Sequence, residues 1–359
     1  MRRSCPLSGA QRVAPLLALL AAGCASSWNP ATTAPPAALQ WPAAPAPARI
    51  TYARALTGFA SGPDLGATLR ALAIGREGRR GGSFLLPVAI AVGNDGRIAV
   101  ADLGSRCVHL YLPATRRYLR LTGAKGHPLL SPVAVAFGAD LRLFVSDSAG
   151  KVVAFSPDGD ILFTLRQAGS ERLERPTGLA WSPTRARLYV VDTAVHRIHV
   201  FAADGSYDFS FGRRGGGGGE TGPEAELNFP THLARSPAGQ LLVTDALNFR
   251  VVTFDEDGHP IGAFGRHGDG SGDLAMPKGV AVDRDGVVYL ADALFDNVQL
   301  FRPTGELLLT LGARGTGFGE FWLPAGIFLS AAGELYVCDP YNRRVQVFRL
   351  AESHVEPTP

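Results

Sequence analysis

The stretch LYVCDPYNRRVQVF (Leu335–Phe348) places an acid, Asp339, five residues ahead of Arg344, between two apolar runs. It has five relatives in the same chain: RIAVADLGSRCVHLY from Arg97, RLFVSDSAGKVVAF from Arg142, RLYVVDTAVHRIHVF from Arg187, QLLVTDALNFRVVTF from Gln240 and VVYLADALFDNVQLF from Val287. The acids Asp102, Asp147, Asp192, Asp245, Asp292 and Asp339 are spaced by 45, 45, 53, 47 and 47 residues. Each follows a proline (Pro87, Pro132, Pro176, Pro230, Pro277, Pro324) by 15 or 16 residues. Internal repetition of this period is the signature of stacked or radial repeat architectures.

Within one copy the runs Gly279 to Val282, Val287 to Ala291, Val298 to Phe301 and Glu306 to Leu311 are short and rich in β-branched or aromatic residues, with turn-forming residues between them. Four such strands make an antiparallel sheet that cannot bury both faces alone, so the copies must stack on one another around an axis. The expectation is an all-β, six-bladed β-propeller. The last copy ends after its third strand, and RITYARALTG (49–58) has the character of the missing outer strand. Its pairing with Val345 to Phe348 would close the ring and remove an open edge.

The pattern resembles NHL repeats from residue 87 to 350, on the strength of Pro-x-Gly-Val-Ala-Val (Pro277 to Val282), the acid-to-Arg spacing and Gly-rich connectors such as FGRHGDGSGDLAMP. The resemblance implies the fold; propellers of this type serve as lyases, hydrolases, RNA binders and docking platforms, so function must be argued from the site.

The ends of the chain carry a separate message. Arg2, Arg3 and Arg12 precede an apolar run that stops at Ala21-Ala22-Gly23-Cys24, too short for a membrane span and suited to cleavage before an acylated cysteine. Residues 1–23 read as a bacterial lipoprotein signal and Cys24 as the lipidation site, which places the protein outside the cytoplasm, on the periplasmic face of the outer membrane or the cell surface. The six prolines of residues 24–48 favour an extended tether. Then come a closing strand (49–58), a linker with a short capped helix (59–82), the repeats (83–350) and a tail (351–359). Losing the signal turns 35 basic against 32 acidic residues into an even balance, which argues against nucleic acid as a partner despite Arg172, Arg175, Arg185, Arg187, Arg213 and Arg214.

A sixfold-repeated acid is a scaffold feature, expected to accept backbone hydrogen bonds in its own turn and to pair with Arg197, Arg250 or Arg344. Lyases that the fold resembles hold zinc with several histidines at the channel mouth. The equivalent positions here are Val88-Ala89, Val133-Ala134, Thr177-Gly178, Thr231-His232, Lys278-Gly279 and Ala325-Gly326. Only His232 among them is a metal donor, so no cofactor or metal is expected. The segment Asp269 to Asp273 reads as a solvated connector and not as a calcium loop. Leu247, Phe249, Leu294, Phe295, Tyr341, Phe318 and Trp322 put large apolar groups on one face and, with His232 and Lys278, form a candidate partner-binding face. The expectation is therefore a non-catalytic scaffold binding envelope proteins, the alternative being a metal-dependent lyase or hydrolase at the channel. Cys107 and Cys338 become neighbours on ring closure, and both a disulfide and two buried thiols are open to them.

Overall fold

The computed structural model describes residues 27–62, 82–216 and 226–351. Five four-stranded antiparallel sheets follow the repeat. The first consists of Pro87–Val92, Ile98–Asp102, Cys107–Leu112 and Arg117–Leu121, and the others open on Pro132–Phe137, Pro176–Ser182, Pro230–Arg235 and Pro277–Val282. The innermost strand of each packs on that of the next, around a central axis. This is a β-propeller.

The expectation of a six-bladed propeller needs correction, because the described residues form five four-stranded blades. The last copy supplies Ile327–Leu329, Glu334–Asp339 and Arg344–Leu350 to a seven-stranded sheet. Its next member is the N-terminal strand Ile50–Ser61, whose register against the last strand runs from Ile50 opposite Leu350 to Leu56 opposite Val345. Trp28–Thr33 pairs with the far half of Ile50–Ser61, and Gln40–Trp41 pairs with Thr51 and Ile50. From Trp28 onward the proline-rich stretch is thus part of the fold, where composition alone suggested a free tether. Trp28 lies 4.6 Å from the Tyr118 ring and Trp41 lies edge-on to Phe348 at 5.6 Å; the burial of such aromatics offsets a proline-rich backbone's poor strand propensity. The signal, Cys24, the capped helix and residues 352–359 of the tail lie outside the described residues.

The third strands of five sheets carry Phe155, Phe201, Phe254, Phe301 and Phe348 at or near their ends, all buried between sheets. At about 1.5–3 kcal/mol for burying a side chain of this size, these rings dominate the inter-sheet contacts. The repeated acids are buried too, and they staple each connector to the sheet it enters. Asp102 accepts from the backbone N–H groups of Leu85 (2.7 Å) and Leu86 (2.9 Å). Asp192 accepts from Glu174 and Arg175, and Asp292 from Ala275 and Met276, in the same way. Their own turns contribute as well, through Ser105 and Ala194. Arg250 and Arg344 pair with Asp245 (2.9 Å) and Asp339 (2.8 Å) as expected, whereas Arg197 reaches Glu171 instead. Cys107 and Cys338 are both free and buried.

Candidate functional site at the propeller axis

Connectors and acid-bearing turns lie at one end of the propeller, here the upper end, because alternate strands reverse direction. Every innermost strand therefore runs downward from its proline. An axial chamber of about 610 Å³ is lined by all six innermost strands, from the second residue after each proline onward, and by some of the turns that follow them, through Gly93, Asn94, Asp140, Pro183 and Ala186. It opens at the lower end.

The upper end is narrowed by main chain. The N–H of Gly279 donates to the Ala325 carbonyl (3.1 Å) and that of Gly326 to the Val88 carbonyl (2.9 Å). A Cβ at Gly279 or Gly326 would come within 2.5 Å of the neighbouring backbone, and one at Gly178 within 2.9 Å of His232 backbone atoms. Only glycine permits that approach.

Most of the lining is small and apolar: Ala91, Ala136, Ala180 and Ala281, with Phe137 and Trp181 among the larger groups. Among the described residues, His232 is the one histidine in the chamber lining. Its Nδ1 lies 3.1 Å from the Thr231 hydroxyl, and no partner for Nε2 is found among the described residues. Burial, and then the charge of Lys278, push its pKa down to about 3, so the ring is neutral at physiological pH. Lys278 is itself held below the ordinary lysine value by burial and by Arg175. Among the described residues no three His, Cys, Asp or Glu side chains come together to hold a metal, so the donor set does not fit the metal centre of the alternative reading.

The remaining candidates divide. Leu247, Leu294, Tyr341 and Trp322 are exposed, the last two stacked at 5.5 Å. Phe249, Phe295 and Phe318 are partly buried; Phe249 packs on His267 (4.3 Å) and Phe318 on Tyr52 (5.5 Å). Asp273 accepts from Arg266 at 2.6 Å. What sequence reasoning missed is the chamber: its alanines and glycines read as ordinary core, and the single available signal was their concentration in the strand after each proline.

No protein-family model matches the chain, and no curated protein is similar to it in sequence. Similar solved structures include virginiamycin B lyase from Staphylococcus aureus, 12% identical over 74% of this chain and 96% of that one, with a TM-score of 0.53. A gluconolactonase from Xanthomonas campestris is 17% identical over 75% and 87% of the two chains, with a TM-score of 0.56. An auxiliary nutrient binding protein from Bacteroides thetaiotaomicron is 10% identical over 75% and 70%, with a TM-score of 0.57. What they share with this chain is the β-propeller fold. The expectation of a non-catalytic scaffold is overturned by this comparison, in which a lyase and a gluconolactonase stand among the similar structures.

Proposed function

We propose that the protein is a propeller enzyme, a lyase or hydrolase acting on an ester-like substrate held in the axial chamber. The observation that carries the reading is His232, a neutral imidazole with a free Nε2 in a chamber walled largely by small apolar residues, with Asn94, Asp140 and Arg235 also in its lining. An unprotonated imidazole can take a proton from water, leading to hydrolysis, or from a carbon beside a carbonyl, leading to elimination. Its low basicity rises as negative charge develops on a reacting group beside it, and Lys278 adds positive potential at the same end.

Gluconolactone and virginiamycin B, the compounds named for the similar enzymes, are the first probes. Mass spectrometry separates the outcomes, since hydrolysis adds the mass of water and elimination within a ring leaves the mass unchanged. The expected result is turnover of a lactone or cyclic ester that disappears in His232→Ala while the melting temperature is kept. Turnover that survives this substitution would refute the assignment.

The finer structural reading belongs here too. The seven-stranded sheet is taken as a sixth blade of NHL type closed by Ile50–Ser61, supported by the register of that strand against Arg344–Leu350. Export and acylation at Cys24 are supported by the sequence alone. Incorporation of labelled palmitate, lost in Cys24→Ser, is the test.

A further inference from the structure

We infer that the chamber takes a cationic substrate, an ester whose carbonyl enters first and reaches His232 while a quaternary ammonium group stays at the mouth beside Asp140, Phe137 and Trp181. This rests on the reading of His232 as the reacting base and adds the class of substrate to it.

The first observation is the charge at the mouth. Among the described residues, Asp140 and Arg235 are the charged side chains of the chamber lining. Arg235 is already neutralised: its Nε donates to Glu256 at 2.6 Å and its Nη2 to the Thr184 hydroxyl at 2.9 Å. The cations flanking the mouth turns are engaged as well, Arg97 with Asp95 at 2.9 Å and Arg142 with the Ala203 carbonyl. The Asp140 side chain is exposed and has no hydrogen-bond or ion-pair partner among the described residues. The entrance is left with one uncompensated negative charge.

The second observation is the turn that carries this carboxylate. Asp140 (φ 53°) and Leu141 (φ 60°) are consecutive left-handed residues. Aspartate adopts that region readily and leucine does not. Strain of this kind gathers where a ligand is held.

The third is the aromatic wall beside the turn. Phe137 and Trp181 line the chamber. A Cβ at Gly138 would lie 3.5 Å from the Trp181 ring, and Trp181 is stacked on Phe144 at 5.8 Å. Aromatic faces next to a carboxylate attract a quaternary ammonium through ring quadrupole and charge together. A neutral group of the same shape gains from the rings alone.

The fourth is the polarity of the axis. Ala134 and His232 are each the second residue after their proline, and Phe137 stands three residues further down its strand. Three strand residues span about 10 Å, so a substrate touching both ends carries a spacer of several methylene groups between carbonyl and ammonium. Lys278 makes the His232 end positive, and Asp140 makes the mouth negative. The ammonium is thereby kept at the mouth, and the carbonyl oxygen, which gains negative charge on attack, is directed inward.

The test is calorimetric binding of two non-reacting probes, the N-methyl amide of trimethylammonio-hexanoic acid and its uncharged tert-butyl isostere. The cationic probe should bind at least about tenfold more tightly. Asp140→Asn keeps a residue that tolerates the left-handed backbone and should bring the two probes within about twofold of each other. Asp158→Asn, at an exposed position of the same end outside the lining, should leave the preference intact. Ala136→Phe and Ala234→Phe fill the chamber from different strands, and whichever keeps the wild-type melt should weaken the cationic probe at least about tenfold. Equal affinities in the wild type, a preference that survives Asp140→Asn, or cationic binding indifferent to chamber filling overturns the inference. His232→Ala should keep the preference and lose lactone turnover, so failure of charge recognition and failure of the catalytic reading are told apart.

Discussion

Arg54, on the N-terminal strand, donates to both carboxylate oxygens of Glu334 at 2.7 and 3.0 Å, and Tyr336 donates to the same carboxylate at 2.7 Å. The N-terminal strand is thus joined to the last repeat by a two-pronged charged contact that spans the intervening strand Arg344–Leu350, a geometry stronger than a single-point surface ion pair. Its partial exposure limits the energy, and Arg54→Ala should cost about 1 kcal/mol in urea unfolding. Deleting residues 50–61 removes the backbone ladder as well and should abolish cooperative folding. A truncated protein with an unchanged melting temperature would refute the closing role of this strand.

The acid of the final repeat should be far more sensitive than the tyrosine beside it. Asp339 is completely buried and accepts from the Trp322 N–H, Asn342, Arg344 and Gln346. Asp339→Ala strands the Arg344 charge in the interior and should cost about 3–5 kcal/mol. Tyr341→Ala, at an exposed position, should stay within about 0.5 kcal/mol. Denaturant midpoints of the two variants compare them directly.

One pair gives the fold a pH dependence. Burial lowers the pKa of His109, but Asp102, 3.2 Å from Nε2, and Cys107 outweigh it and hold the value above the ordinary one. A raised folded-state value means that the folded protein binds the proton more tightly. The contribution is complete below about pH 6.5 and is lost as pH rises through the folded value. His109→Gln should flatten this loss, measured as the change in urea midpoint between about pH 5.5 and about pH 8.5.

The two buried cysteines should differ in chemistry. Cys107 Sγ has Ser105 Oγ at 3.1 Å, Arg120 Nε at 3.3 Å and His109 Nε2 at 3.6 Å. Burial opposes ionisation, yet these neighbours hold the thiol below its ordinary value. Burial, and then Asp339, push Cys338 upward. Thiolate is the reactive form, so iodoacetamide at neutral pH should label Cys107 at least about tenfold faster than Cys338, as read by peptide mass spectrometry. Equal rates would mean that access alone governs both.

The repeat was legible because each acid does a local job: it holds the backbone of the connector some 17 residues before it, and local jobs leave periodic marks. The exposure of the turn residues was half legible. Leu247, Leu294 and Tyr341 stand two residues after their acids and point outward, while Phe249 occupies the left-handed position four residues after Asp245 (φ 52°) and folds back onto His267. A count of apolar residues does not distinguish these positions. The role of Trp28 and Trp41 was hidden for a different reason, since their partners Tyr118 and Phe348 are remote in sequence. The chamber was hidden because an alanine facing a void and an alanine facing a neighbour are the same letter.

Gly178, Gly279 and Gly326 give the narrow end of the axis a property that the wide end lacks. A constriction built of backbone has no rotamers, and it cannot be widened without moving whole strands. At the other end, Phe137, Trp181 and Phe328 are side chains, each replaceable without disturbing the frame. Diversification of the molecule toward new ligands is therefore free to proceed from one end alone, where selection can resize the aperture residue by residue.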